Sequence, residues 1–250
     1  MIQKEFQIIV DEVVQRCDNY FQSRLSAIYI TGSIHTNEAI IGESDLDSWI
    51  FVADDLSNSD KAWIKETENE MDQAHEIVDG VHINVKSCRE LRDDKFVRFA
   101  LKYNSMLYFG DDIIAKIESS GVEIYDPNKL VAKGRLSFAR QCLEDAMINT
   151  CPECMEKIPK NTYFAARKFA RYFILVEGAY YLMAIGEFET YKQERVLQKL
   201  KEHTVGFDSI LDLSLAVLKN PQAAAVKHED YIAQIHPFVV WMFDEIEKVI

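Results

Sequence analysis

The sequence predicts an α/β domain followed by an all-helical bundle domain. Three observations carry that division. Residues 1–126 alternate helical and strand patterns, residues 127–250 show almost no period-two alternation, and all five prolines lie at or after Pro127. Asp126-Pro127-Asn128 marks the boundary as a turn, since proline fixes φ and removes a backbone donor. With 250 residues, 48% apolar and 28% charged, the chain can bury a sizeable core in one large or two small domains.

The elements follow from local pattern. Phe6, Ile9, Val13, Cys17, Tyr20 and Phe21 recur at spacings of three and four, an amphipathic helix. Residues 27–31 form a short β-rich run ending at Gly32, and 46–52 a second strand. A helix is expected over 57–73, with Ser57 or Ser59 as N-cap. Residues 76–78 and 81–86, joined by Asp79-Gly80, are expected to pair as a β-hairpin. A helix over 87–102, a strand over 105–109 ended by Gly110, a helix over 111–119 and a last strand over 122–125 complete a small mixed sheet with flanking helices. The second half reads as helices over 133–150, 161–185, 192–202, 208–218 and 229–250. The longest of these is capped by Asn161 or Thr162 and closed by Gly186.

Forty-one acidic residues against 28 Lys and Arg give a formal charge of −13. Phosphate backbones select basic surfaces, so nucleic acid is not the expected partner. The charge permits cationic ligands and metal ions. No apolar run reaches the roughly 18 residues of a membrane span, so no membrane partner is expected. The N-terminal MIQKEFQIIVDEVV mixes charges with apolar residues at helical spacing, unlike a signal peptide. Five cysteines suggest no disulfide framework, and a reducing cytoplasm is the expected compartment. Cys151-Pro-Glu-Cys154 has no second cysteine pair or His-x-x-x-His to complete a zinc site and reads as a loop.

The chemistry is concentrated in Tyr29 to Val52, YITGSIHTNEAIIGESDLDSWIFV. The first strand runs into Gly32-Ser33, eleven residues intervene, and Asp45-Leu46-Asp47 opens the second strand. Side chains at i and i+2 of a strand share a face, so Asp45 and Asp47 present two carboxylates together, edged by Glu43 and Ser44. Adjacent like charges are unfavourable without a cation between them. Magnesium is held by one or two carboxylates together with substrate phosphates. Gly32 allows close backbone approach, and the Ser33 hydroxyl with nearby N–H groups suits phosphate oxygens.

Gly-Ser, about a dozen residues, then Asp-x-Asp after an apolar strand resembles the signature of the polymerase-β-like nucleotidyltransferases. The two-domain size is most similar to the aminoglycoside nucleotidyltransferases, the kanamycin enzymes among them. The resemblance covers about residues 27–112 and includes Tyr108-Phe109-Gly110-Asp111-Asp112. It implies metal-dependent transfer of a nucleoside monophosphate from ATP or another NTP to a small-molecule hydroxyl. Gly32, Ser33 and Ser44 would then serve the triphosphate, Asp45 and Asp47 would hold Mg²⁺ or Mn²⁺, and the helical domain would form the acceptor side. An acidic chain suits a cationic, aminoglycoside-like acceptor.

One position departs from that pattern. The third carboxylate of these enzymes falls at His82, within Val81-His82-Ile83-Asn84-Val85. A neutral imidazole can ligate metal but suits softer ions than Mg²⁺. The general base is left open among His82, whose type titrates near pH 6.5, Glu76 on the paired hairpin strand, and Glu144 or Asp145 in the helical half. Two alternatives stand beside small-molecule transfer: a protein hydroxyl as acceptor, and a non-catalytic nucleotide-binding protein. The oligomeric state, monomer or homodimer, is left open.

In the helical half, Tyr163, Phe164, Phe169, Tyr172, Phe173, Tyr180 and Tyr181 share a helix with Arg167, Lys168 and Arg171. Most of the aromatics are expected in the core, with the basic residues as candidate triphosphate contacts. Glu177 interrupts the apolar face; it is expected either to pair with an arginine such as Arg171 or to face the substrate cleft.

Overall fold

The computed structural model describes residues 2–122, 124, 126–155 and 158–249. The chain divides into two compact units, Met1–Tyr125 and Asp126–Ile250. Among the described residues, no helix is long and apolar enough to cross a membrane.

The first unit is a small mixed α/β domain. Helix α1 (Lys4–Phe21) leads through a 3₁₀ turn into β1 (Leu25–Thr31), and α2 (Gly32–Thr36) follows without a gap. A loop reaches β2 (Leu46–Val52), α3 (Asn58–Ala74) and β3 (Val81–Ser87). Then come α4 (Cys88–Asp93), α5 (Lys95–Asn104), β4 (Ser105–Gly110) and α6 (Ile113–Ser119). The sheet order is β3-β2-β1-β4. β1 is antiparallel to both β2 and β4, and β2 is parallel to β3.

Strand alternation sends two sets of apolar side chains to opposite faces. Ile28, Ile30, Leu46, Ile50, Val52, Val81 and Ile83 pack with Phe6, Ile9, Val13, Cys17 and Phe21 of α1 and Met71 of α3. Ala27, Tyr29 and Phe51 face Leu91, Leu101, Ile113, Ile114 and Ile117 on the other side. The α1 stripe predicted from spacing is therefore the core-facing stripe.

Three expectations for this unit are corrected. Residues 76–78 are turn, not the first strand of a hairpin, because β3 pairs in parallel with β2 and α3 makes the crossover. The apolar Ile77 and Val78 that suggested a strand instead fasten a loop: the Ile77 carbonyl accepts from Gly42 N–H, and Val78 enters the core. The helix expected over 87–102 is two helices, broken where Asp94 adopts extended backbone and caps α5 through Val97 N–H. Of the strand expected over 122–125, Glu123 and Tyr125 lie outside the described residues, and Val122 and Ile124 are in no strand.

Ser57 rather than Ser59 caps α3, in a reciprocal capping box with Asp60. The same Asp60 carboxylate is buried and receives two guanidinium hydrogen bonds from Arg24, at 3.0 and 2.9 Å. One side chain thus ties the start of α3 to the residue just ahead of β1. A bidentate guanidinium pair is specific in geometry as well as charge.

The second unit is helical: α7 (Lys129–Met147), α8 (Thr162–Phe169), a π-helical stretch (Ala170–Val176), α9 (Glu177–Ile185), α10 (Gln193–His203), α11 (Asp208–Lys219), α12 (Pro221–Ala224) and α13 (His228–Lys248). α8 through α9 occupy the span predicted as one helix. Asn161 caps it through Tyr163 and Phe164 N–H, and Gly186 closes it in left-handed conformation. α7, α8 and α9 pack on α13, with Ala139, Ala166, Phe169, Phe238, Val239 and Phe243 in the core.

The Arg24 guanidinium holds the Asp60 carboxyl well below the usual carboxylate range. A depressed folded-state pKa adds stability above the unfolded value of about 3.8 and loses it as pH falls below that. Asp60→Asn is expected to reduce the stability of the first unit by about 2 kcal/mol at pH 7. Urea unfolding of both proteins at pH 7 and pH 3 checks this: the gap should narrow at the lower pH.

Candidate functional site

The site begins where β1 ends. Thr31 pairs with Asp47 across the antiparallel β1–β2 register, so the next residue, Gly32, comes beside the start of β2. Gly32 has φ +69°, a left-handed conformation that lets the chain turn at once into α2. A Cβ at Gly32 would lie 2.7 Å from Asp47 Oδ2. The missing side chain is therefore what allows the Asp47 carboxylate to lie against this turn. Ser33 follows at the buried start of α2.

Asp45 lies one residue ahead of β2, and Asp47 within it; both are half-buried. Across the parallel register Asp47 pairs with His82. The Ser48 hydroxyl donates to the His82 carbonyl at 2.9 Å, fastening the two strands there. Gly80 brings the third group in: its Cβ position lies 3.4 Å from His82 Nε2 and 3.8 Å from Asp45 Oδ1. Asp45, Asp47 and His82 thus gather around two side-chain-free positions, Gly32 and Gly80. Trp49 and Asn84 extend the same face by alternation from Asp47 and His82.

The intervening loop is held from within. The Ser44 hydroxyl oxygen accepts from Ile40 N–H at 2.9 Å, its carbonyl accepts from Asp79 N–H, and the Gln3 amide clamps both backbone groups of Ala39. Ser44 is buried. Leu46 N–H donates to the Gly80 carbonyl, joining this loop to the approach to β3.

Among the described residues no group of three or more His, Cys, Asp and Glu side chains is close enough to hold a metal ion alone. Two half-buried carboxylates with an imidazole nearby fit a divalent ion that shares its coordination with phosphate oxygens, rather than an all-protein cage.

The other sequence candidates fall elsewhere. Glu76 is exposed in the turn before β3, not on a paired strand, because the hairpin does not form. Glu144 is exposed on α7, and Asp145 beside it accepts from the Gln141 amide. Tyr108 to Asp112 is structural: Gly110, at φ +80°, lies so close to the Ser26 carbonyl that no Cβ fits, while Asp112 caps α6 and accepts from Tyr29.

In the helical unit, Glu177 pairs with Arg135 of α7 at 3.0 Å, not with Arg171. The charge partner comes from a neighbouring helix, which spacing along one helix does not reveal. The Arg135 guanidinium also lies over the rings of Phe138, Tyr172 and Tyr180. Burial pushes the Glu177 carboxyl up to about 7 against the pull of Arg135. Arg167 is buried, its Nε donating to the Leu218 carbonyl at the end of α11.

The fold that carries this Gly-Ser turn and Asp-x-Asp strand is similar to that of a solved adenyltransferase. The spectinomycin adenyltransferase AAD(9) from Enterococcus faecialis, solved with ATP and spectinomycin, matches with a TM-score of 0.55 at 10% identity, over 95% of this chain and 98% of that one. The toxin–antitoxin pair MntA–HepT matches over 54% of this chain and 96% of its own, at 14% identity and a TM-score of 0.32. A toxin–antitoxin structure with AMP-PNP matches over 55% and 97%, at 15% identity and 0.34. The last two scores are too low to define a fold. No protein-family model and no curated protein matches the sequence.

Gly32→Ala is expected to displace the Asp47 carboxylate and to strain the turn by about 1–3 kcal/mol. The melting temperature should fall by several degrees while far-ultraviolet circular dichroism stays unchanged.

Proposed function

We propose that this protein is a nucleotidyltransferase, moving a nucleoside monophosphate from ATP or another NTP to a hydroxyl of a small, cationic acceptor. The observation that carries the reading is the convergence of Asp45, Asp47 and His82 on Gly32 and Gly80. A carboxylate pair beside a glycine turn is what a metal–triphosphate requires. The fold likeness to an adenyltransferase solved with ATP and spectinomycin supports ATP as donor and a polyhydroxylated amine as acceptor. The formal charge of −13 favours such a cation over an anionic acceptor.

In this reading Asp45 and Asp47 would hold Mg²⁺ or Mn²⁺, which supplies charge neutralisation at the phosphates. Gly32 and Ser33 would receive the triphosphate, and Ser44 would keep the loop ahead of Asp45 in shape. The acceptor oxygen attacks the α-phosphorus, the bond to the bridging oxygen breaks, and pyrophosphate leaves with that electron pair. His82 is proposed as a third group at the metal, supported by its register with Asp47 and by the position of Nε2 near Asp45, and the hydroxyl proton passes to water. The free cysteines among the described residues support a reducing, cytoplasmic setting.

Asp45→Asn together with Asp47→Asn is expected to abolish metal-dependent ATP binding in calorimetry while leaving the thermal unfolding cooperative. Unchanged affinity in that variant would contradict the assignment.

A nitrogen ligand beside two carboxylates favours Mn²⁺ over Mg²⁺. Transfer is therefore expected to run faster with Mn²⁺, and His82→Asp should raise Mg²⁺-supported turnover by restoring an oxygen donor. Rates with each metal for both proteins check this. Indifference to the mutation with every metal would remove His82 from the site. Metal-dependent ATP binding with no transfer to any amine-bearing polyol would favour the non-catalytic alternative.

A further inference from the structure

β3 is an edge of the sheet, and its outward backbone groups carry a pattern of their own. Pairing with β2 takes up alternate residues of the strand, so the N–H groups of Val81, Ile83, Val85 and Ser87 face away from the sheet. Three of these are met by a carboxylate of this chain, each at 2.7 Å: Asp72 accepts from Val81, Glu68 from Ile83 and Glu90 from Ser87. Asp72 and Glu68 lie four residues apart on α3. Four helical residues advance about 6 Å and two strand residues about 6.6 Å, so α3 and β3 pass each other in step. The next step back along α3 is Ile64, whose side chain has no acceptor to offer Val85. Among the described residues no group accepts from the Val85 N–H.

Val85 lines a groove of about 490 Å³ together with Trp49, Leu56, Lys61, Ile64 and Lys65. Lys61 and Lys65 are exposed and one turn apart on α3, and neither has a carboxylate partner among the described residues. Lys86, also in the lining, lies 5.7 Å over the Trp49 ring and is paired with Asp94. Glu68 is the one acid there, and its carboxylate is bound to the Ile83 N–H. A chain with a formal charge of −13 thus presents two uncommitted ammonium groups, an outward N–H and apolar side chains in one groove. We propose that this groove docks an extended acidic segment of a partner protein. Its acidic side chains meet Lys61, Lys65 and the Val85 N–H, and its intervening apolar side chains pack on Leu56 and Ile64. A carboxylate of the partner then completes the series that Asp72, Glu68 and Glu90 supply from within.

Local charge decides the sign of the partner. Beyond about 8 Å the net negative charge is screened at physiological salt, whereas Lys61 and Lys65 act on the segment at contact. A hydrogen bond from a backbone N–H to a carboxylate is shorter and stronger than one to a neutral acceptor. Asp72 and Glu68 meanwhile block the first half of the β3 edge against another strand. Recognition therefore rests on side-chain charge rather than on a full backbone ladder. The inference concerns the first unit alone and does not depend on the proposed reaction.

The test uses the full chain and three fluorescein-labelled peptides, Glu-Val-Glu-Val-Glu, Gln-Val-Gln-Val-Gln and Lys-Val-Lys-Val-Lys, followed by fluorescence anisotropy. The Glu peptide is expected to bind about tenfold more tightly than either of the others. Lys61→Glu with Lys65→Glu, both on the exposed side of α3, should weaken it by about tenfold while thermal unfolding stays cooperative. Deuterium exchange read by NMR supplies a second measure. The Val85 amide should exchange faster than those of Val81, Ile83 and Ser87 in the free protein, and should slow several-fold with the Glu peptide bound. No binding of the Glu peptide, equal or tighter binding of the Gln or Lys peptide, or unchanged affinity in the double variant would overturn the proposal. So would displacement of the Glu peptide by an equal concentration of N-acetylglutamate, which would assign the groove to a free carboxylate instead of a protein segment.

Discussion

The candidate site depends on the register of β2 against its two neighbours. Thr31 opposite Asp47 places the Gly32 turn against one carboxylate, and Asp47 beside His82 brings the edge strand into line with it. A slip of one residue in either ladder would turn Asp47 toward the apolar layer of α1 and α3, where an uncompensated carboxylate is prohibitive. The core therefore enforces the site: Leu46, Ser48, Ile50 and Val52 are buried on one face, so Asp47, Trp49 and Phe51 must take the other. The apolar contacts that stabilise the domain also set the side on which its charges gather.

Glycine positions do the remaining placement. Gly32 and Gly80 belong to different connections, yet each leaves room for an acidic side chain of the β2 start. Gly110 acts at the opposite end of β1, allowing β4 to close on the Ser26 carbonyl before Asp112 opens α6. Where the chain turns or backbones approach at these points, a Cβ would meet atoms already in place. The Arg24–Asp60 pair adds a second kind of constraint, binding the helix of the β2–α3–β3 crossover to the entry of β1.

Much of the first unit was legible from periodicity. The α1 stripe, β1, β2, the Ser57 cap and the Gly110 end of β4 are all local patterns, and local patterns survive folding. Gly-Ser and Asp-x-Asp could be paired because each sits at the end of a readable strand. The false hairpin arose from a contact of another kind: Ile77 and Val78 look like strand residues but serve to fasten the 40–46 loop. That error hid Gly80, whose place in the site depends on the parallel register of β3. In the helical unit the partners of Glu177 and Arg167 lie on other helices. Such pairings are set by tertiary packing and leave no signature in spacing along one helix.

The central claim is that one metal–triphosphate lies against Asp45, Asp47 and His82. The histidine ring signals of the protein, with those of His82 identified by a His82→Asn variant, test it most directly when Mn²⁺ is added with and without a non-hydrolysable ATP analogue. Paramagnetic broadening decays steeply with distance. Mn²⁺ with the nucleotide is expected to erase the His82 ring signals, whereas diamagnetic Mg²⁺ with the same nucleotide leaves them visible. Retention of the His82 signals under saturating metal and nucleotide would contradict it.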